Sequence, residues 1–203
     1  MELSGARAAT DRWLAGIPGL LVRPGQALAR LSTLRIGGPA ETFVEVASER
    51  ALVVLLQGVA RRELAFQLLG LGSNVLVPDA GLPGIVARLG GELKRVRIRA
   101  HRVSAGGGAP LALVARKASA AGLAGLEALS GFPSTVGGAV FMNAGCYGTE
   151  IKDVLHSARL VELDGRRRRI GVVDLQASYR STALKATGAI VTRALFELTP
   201  GAP

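Results

Sequence analysis

Residues 131 to 145 read Gly-Phe-Pro-Ser-Thr-Val-Gly-Gly-Ala-Val-Phe-Met-Asn-Ala-Gly, and this segment constrains the chain more than any other. Glycine loses the most conformational freedom on folding, so ordering such a stretch is costly in chain entropy. As a flexible loop it would leave Val136, Val140, Phe141 and Met142 in water, against their ordinary place inside a protein. A segment of this kind is worth ordering when it closes over something large, and a bulky cofactor is the natural candidate.

Two further turns share this character. In Leu71-Gly72-Ser73-Asn74-Val75-Leu76 an apolar run enters a glycine turn and another leaves it. Its amides and the Ser73 and Asn74 side chains are suited to one anion, because glycine permits positive φ and leaves backbone N–H groups open to a phosphate. Turn chemistry alone fits a tight connection in a sheet equally well. In Gly106-Gly107-Gly108-Ala109-Pro110 the turn runs into a helix, whose first-turn amides favour negative charge. The dinucleotide-binding fingerprint fails here: Leu111 stands where its third glycine belongs, and no unit of alternating parallel strands surrounds the turn. A glycine-rich strand exit capping a helix remains equally compatible.

Around these turns the hydrophobic pattern predicts strands at 42–46, 85–89, 93–98, 102–105, 154–163, 168–172 and 190–198, with short apolar runs at 66–71 and 75–77. Helices are expected near 8–14, over 49–60 behind a Ser48 cap, and over 111–121 up to Gly122. Asp164-Gly165 marks a hairpin. Strands with a few helices, and no regular alternation, predict an α+β fold in two lobes. The expected division is an N-terminal helical extension over 1–30, a first lobe over 31–90 and a second over 91–203.

Composition excludes several function classes. Apolar stretches are broken by charge or glycine well short of the ~20 residues of a membrane-spanning helix. The first 14 residues mix Glu2, Arg7, Asp11 and Arg12 among apolar ones and lack the continuous core of a secretory signal, so a cytoplasmic location is expected. The lone Cys146 excludes an internal disulfide and any multi-cysteine metal site, and a small buried thiol is expected. The net charge of +10 is almost all arginine, and aromatics make up 4% of the chain. Nucleic-acid binding would want basic residues interleaved with stacking aromatics, so no nucleic-acid partner is expected.

Several short motifs then fall in one order: Thr33-Leu34-Arg35-Ile36-Gly37-Gly38-Pro39-Ala40, Leu71 to Val77, Gly122-Leu123-Ala124-Gly125-Leu126-Glu127, Thr135-Val136-Gly137-Gly138-Ala139, Met142-Asn143-Ala144-Gly145, and Tyr179-Arg180. In this the chain resembles the UDP-N-acetylenolpyruvoylglucosamine reductases from about Leu31 to Leu198. The resemblance implies a two-lobed FAD-binding domain of the vanillyl-alcohol-oxidase (PCMH) type, with FAD held noncovalently by both lobes. It implies that NADPH reduces the flavin, which then reduces UDP-N-acetylglucosamine enolpyruvate to UDP-N-acetylmuramate for the cell wall.

Carried over residue by residue, the resemblance places Gly72, Ser73 and Asn74 along the FAD diphosphate, with Leu71, Val75 and Leu76 also in the cofactor site. Gly107, Thr135, Gly137, Gly138 and Asn143 would complete the cofactor site. Arg180, preceded by Tyr179, matches the active-site arginine, whose planar cation pairs with the substrate carboxylate and stabilises enolate-like charge. The chain departs from the family pattern at Phe132 and Ser134, usually isoleucine and glycine, and at Ser181 and Thr182, usually aspartate and serine. Family members continue for about another hundred residues, the size of one small domain. That domain carries the serine that protonates the carbanion and its assisting glutamate. The chain is thus expected to be either a reductase completed elsewhere, by a following segment or a separate chain, or a stand-alone flavin-binding module. His101 and His156 look isolated, and Arg166 to Arg169 reads as a solvated strand start.

Overall fold

The computed structural model describes residues 2–201, and the chain divides into two compact units after Gly91. The architecture is α+β, as the irregular order of elements implies.

The first unit opens with helix α1 (Glu2–Ala15) and strand β1 (Leu20–Pro24), followed by β2 (Ala40–Val46) and α2 (Glu49–Arg61). Strands β3 (Phe66–Leu68) and β4 (Leu82–Leu89) complete a sheet of order β1-β2-β4-β3. Strand β1 lies antiparallel to β2, while β2 and β3 both run parallel to β4. Residues 20–24 are therefore an edge strand of this sheet, where the sequence suggests an extension broken by Pro18, Gly19 and Pro24. Local breakers obscured it, and pairing with β2 supplies the order.

Helix α2 begins at Ser48, whose hydroxyl accepts from the Ala51 amide at 3.1 Å, and it buries Leu52, Leu55 and Leu56. Trp13 of α1 packs on Gly58, where any side chain would collide with the indole, and the Arg62 guanidinium lies 4.1 Å from the same ring. Parallel β3 and β4 are neighbours, so the chain must run back between them. That return, residues 69–81, carries the Gly72 turn.

The second unit is a five-stranded antiparallel sheet of order β11-β10-β12-β6-β5. Its strands are β5 (Val96–Arg99), β6 (Arg102–Gly106), β10 (Leu155–Val161), β11 (Arg167–Gly171) and β12 (Ile190–Glu197). Short pieces join them: α3 (Leu111–Ala120), β7 (Leu123–Ala124), α4 (Val136–Phe141), β8 (Gly145–Cys146), β9 (Thr149–Glu150), α5 (Ile151–Val154), α6 (Leu184–Thr187) and β13 (Thr199–Pro200). The expected strand over 93–98 is split, because residues 91–94 form a helical turn that buries Leu93 before β5 begins. One face of the sheet packs under α3 and α4 in a core including Val114, Leu129, Val140, Leu160 and Phe196.

Helix α4 falls inside the glycine-rich segment that sequence reading treats as a turn. Gly137 and Gly138 are poor helix formers, about 1 kcal/mol each below alanine. Tertiary packing overrides that. Thr135 caps the helix by accepting from the Gly138 amide at 3.1 Å, and Val136, Ala139 and Val140 are fully buried. A side chain at Gly137 would press to 3.0 Å of the Gly107 carbonyl and 3.2 Å of the Val191 carbonyl, so glycine lets the helix lie against the sheet.

Candidate functional site

In the first unit the Gly72 turn is open. The amides of Gly72, Asn74, Val75 and Leu76 have no acceptor among the described residues. Gly72 itself has φ +74°, and a Cβ there would collide with the Leu31 carbonyl, so only glycine permits this crossing. The Gly72 carbonyl accepts from the Thr33 amide at 2.9 Å, and the Gly38 amide donates to Pro78 at 2.9 Å. The Thr33 to Gly38 motif is thereby laced to the turn.

Beside the turn lies a cavity of about 340 Å³ lined by Arg30, Ser32, Thr33, Arg35, Leu71 and Arg88, among others. Three arginines and no carboxylate line it. Ser32 is 9% exposed, and its hydroxyl is a buried polar atom with no hydrogen-bond partner among the described residues. Leu34, Ile36 and Leu76 stand more than half exposed around this region. Sequence reading missed Arg30, Ser32 and Arg88. Arg88 is brought in only by the pairing of β4, and no motif marks it.

The second unit treats its glycine turns differently. The amides of Gly106, Gly107, Gly108 and Ala109 donate to Arg95, Thr192, Leu93 and Gly106 carbonyls at 2.8 to 2.9 Å, and that of Leu111 donates to Ser134 at 2.9 Å. The expected anion cradle at this helix entry is therefore closed by the protein's own carbonyls. Glycine is needed at 106 because a Cβ would strike the Leu93 carbonyl. The Gly137 amide donates to Gly107 at 2.7 Å, and the Thr135 hydroxyl is used by Gly138. Gly107, Thr135, Gly137 and Gly138 are thus brought together, with hydrogen bonds directed at one another.

Asn143 is fully buried at φ +42°, a left-handed conformation that asparagine tolerates better than most residues. Its side-chain nitrogen donates to Glu150 Oε2 at 3.2 Å and to the Ser178 carbonyl at 3.0 Å, while its oxygen accepts from the Lys152 amide at 3.1 Å. It therefore clasps two segments, residues 150–152 and the stretch at Ser178.

One of those segments carries Tyr179 and Arg180. Ser178 and Ser181 exchange backbone hydrogen bonds at 3.0 and 3.2 Å, so Tyr179 and Arg180 form the tip of a tight hairpin. Arg180 has φ +51°, a strained position for a residue with a long side chain. Its Nη2 donates to the Gly145 carbonyl at 3.1 Å, and its carbonyl accepts from Lys185 Nζ at 2.7 Å. The guanidinium lies 5.3 Å from the Phe132 ring and 5.9 Å from the Tyr179 ring. Tyr179 itself is 82% exposed.

Glu150 completes this cluster. The Lys152 ammonium bonded to it at 2.5 Å holds its carboxyl below the usual value, against partial burial, and the Asn143 amide and Arg180 charge act in the same direction.

The two histidines are not isolated. His101 Nε2 and His156 Nδ1 lie 3.1 and 3.2 Å from the two Glu197 oxygens, with Arg102 Nη2 at 3.2 Å. The β6–β12 pairing brings Glu197 beside Arg102 and a bulge in β10 presents His156, which no local pattern shows. Cys146 is half-buried and free. Among the described residues no group of three or more His, Cys, Asp or Glu could hold a metal ion, and no helix is long and apolar enough to cross a membrane.

Comparison with known proteins gives one consistent answer. A model of the FAD binding domain family matches residues 40–171. The chain is 43% identical over 180 residues to the UDP-N-acetylenolpyruvoylglucosamine reductase of Caulobacter vibrioides, covering 88% of this chain and 60% of that protein. It is 40% identical over 179 residues to reductase 2 of Symbiobacterium thermophilum, covering 88% and 58%. The chain spans about 60% of the length of these curated relatives. Its structure superimposes on the reductase of Thermus caldophilus with a TM-score of 0.78 at 35% identity, over 90% of this chain and 64% of that one. The 6-hydroxy-D-nicotine oxidase of Arthrobacter nicotinovorans shares the fold, with a TM-score of 0.69 at 17% identity over 91% and 43% of the two chains.

Proposed function

Because the chain belongs to the FAD binding domain family, we propose that it binds FAD noncovalently as the flavin-carrying part of a UDP-N-acetylenolpyruvoylglucosamine reductase. In that reading NADPH is the hydride donor, UDP-N-acetylglucosamine enolpyruvate the acceptor, and UDP-N-acetylmuramate for peptidoglycan the product. The open amides of the Gly72 turn are the observation that carries it.

Those amides suit a diphosphate, which needs several donors at close range. The neighbouring Arg30, Arg35 and Arg88 give the region a positive field, and the unpartnered Ser32 hydroxyl is the kind of orphan a bound group satisfies. Ser73 and Asn74, both exposed, add side-chain donors. Exposed Leu34, Ile36 and Leu76 offer apolar surface to the rest of a large cofactor. The residues present therefore fit FAD. In the second unit Gly107, Thr135, Gly137 and Gly138 contribute close-packed backbone surface, since their amides or hydroxyl are already engaged. Asn143 contributes through the segments it holds.

Bound FAD would supply the two-electron chemistry, accepting and passing on hydride. Arg180 pairs with the substrate carboxylate and stabilises the negative charge that grows on it as hydride arrives. One of its N–H groups is spent on Gly145, which aims the fork and leaves the other donors free. The hairpin strain, the Gly145 tether and the Lys185 contact fix the guanidinium before substrate arrives, so little reorganisation is needed during reaction. Tyr179, exposed beside it, would line the substrate entrance. The proton donor is assigned to the part of the relatives that this chain does not span.

The test is direct. The purified chain should be yellow, release unmodified FAD on denaturation, and regain flavin absorbance on reconstitution. Supplied with the remaining portion of a relative, it should oxidise NADPH only when the enolpyruvyl sugar nucleotide is present. A colourless chain that fails to bind FAD in a calorimeter would overturn the proposal.

A further inference from the structure

The face of the second unit's sheet opposite α3 and α4 carries a row of arginines on three adjacent strands. Arg169 of β11 stands directly across from Arg159 of β10, and Arg159 directly across from Arg193 of β12. Neighbouring strands are about 4.8 Å apart, so three guanidinium stems are rooted within about 10 Å. Like charges placed directly opposite one another destabilise a sheet, and this row does so twice.

Among the described residues that line it, none carries a neutralising charge. The three arginines line a concavity of about 140 Å³ with Ser104, Ser157 and Leu195, and no carboxylate is among them. The hydroxyls orient without compensating charge. Arg169 donates from Nε and Nη2 to Ser157 Oγ at 3.3 and 3.0 Å, and Arg193 from Nη1 to Ser104 Oγ at 3.4 Å. Ser157 is 6% exposed, so its hydroxyl is a fixed point. The central Arg159 is exposed, and its guanidinium has no partner among the described residues. By contrast Arg166 and Arg168, on the same hairpin, have Asp164 and Glu162 beside them.

We propose that Arg159, Arg169 and Arg193, with Ser104 and Ser157, form a binding site for a phosphate-class oxyanion on the second unit, separate from the Gly72 turn. A tetrahedral oxyanion over Arg159 accepts from forks on both sides and removes both like-charge repulsions at once. The concavity suits one such group and little more. The site stands independently of the flavin proposal, because none of its residues is among those that proposal uses.

The test is calorimetric titration of the purified full chain with inorganic phosphate, against chloride at equal ionic strength. Saturable binding of phosphate is expected, weakened at least about tenfold in Arg159→Gln and unchanged in Arg61→Gln on α2. Without phosphate, Arg159→Gln should melt at the same temperature as the parent or higher, because repulsion is relieved. Flavin absorbance per chain should be equal in the two proteins. Absence of phosphate binding beyond the chloride control would overturn the proposal, and so would unaltered phosphate affinity in Arg159→Gln, which would place the anion elsewhere.

Discussion

The side-chain amide of Asn143 donates to the Ser178 carbonyl at 3.0 Å, and this bond anchors the hairpin whose tip is Arg180. A buried residue at the end of α4 thus holds a segment that arrives much later in the chain. Asn143→Asp keeps the shape and the acceptor oxygen but removes the donors to Ser178 and Glu150, and it sets a carboxylate beside the latter. We expect a loss of about 2 to 4 kcal/mol in denaturant unfolding. A loss under about 0.5 kcal/mol would show that the clasp does not hold.

Gly72→Ala tests the first unit's turn. The positive φ and the collision with the Leu31 carbonyl require the backbone to shift. The strain alone costs on the order of 1 to 3 kcal/mol, and the shift should lower the FAD content of the purified protein. Gly131→Ala is the control, since an added Cβ meets nothing within 4 Å. Its thermal midpoint and flavin content should match the parent.

Arg180 separates stability from chemistry. Arg180→Gly relieves the left-handed strain at φ +51°, so resistance to denaturant should stay level or rise by about 1 kcal/mol. Turnover in the reconstituted reductase should nevertheless collapse. Arg180→Lys keeps the charge and loses the planar fork, and kcat/KM should fall about 10²- to 10³-fold. A Lys variant with parental kcat/KM would remove Arg180 from the proposed mechanism.

The acid limb of stability follows from Glu150 and Glu197. Lys152 bonded to Glu150, and Arg102 and His101 bonded to Glu197, depress both carboxyls below their ordinary value of 4.5. The unfolded chain then binds more protons than the folded one in that range. The stabilisation is present above about pH 4.5 and is lost as pH falls through the lower folded values. Lys152, raised above 10.5 chiefly by its bond to Glu150, mirrors this: its contribution holds below the unfolded value and disappears as pH rises through the folded one. Denaturation midpoints measured across pH should therefore fall at both ends, and Glu150→Gln should flatten both limbs. An unchanged profile in that variant would refute the coupling.

Helices α2 and α3 were legible because capping and 3.6-residue apolar spacing are local. The family resemblance was legible because short motifs keep their order in sequence. Helix α4 was not legible, since Gly137 and Gly138 argue against it and only packing on Gly107 and Val191 explains it. The Glu197 cluster and the arginine row were equally invisible. Both depend on which strands are neighbours, and antiparallel pairing joins residues far apart in sequence.

By itself the sequence determined where the backbone could pass close to another group, because only glycine offers that freedom. It could not determine what would fill the space. At Gly106 to Gly108 the filling groups are carbonyls of strands and turns folded against the turn, and its amides are spent on them. At Gly72 the crossover between parallel strands leaves the amides of Gly72, Asn74, Val75 and Leu76 without an acceptor among the described residues. Two turns of like composition thus acquire different chemistry, because a backbone donor is satisfied by whatever the tertiary structure brings to it.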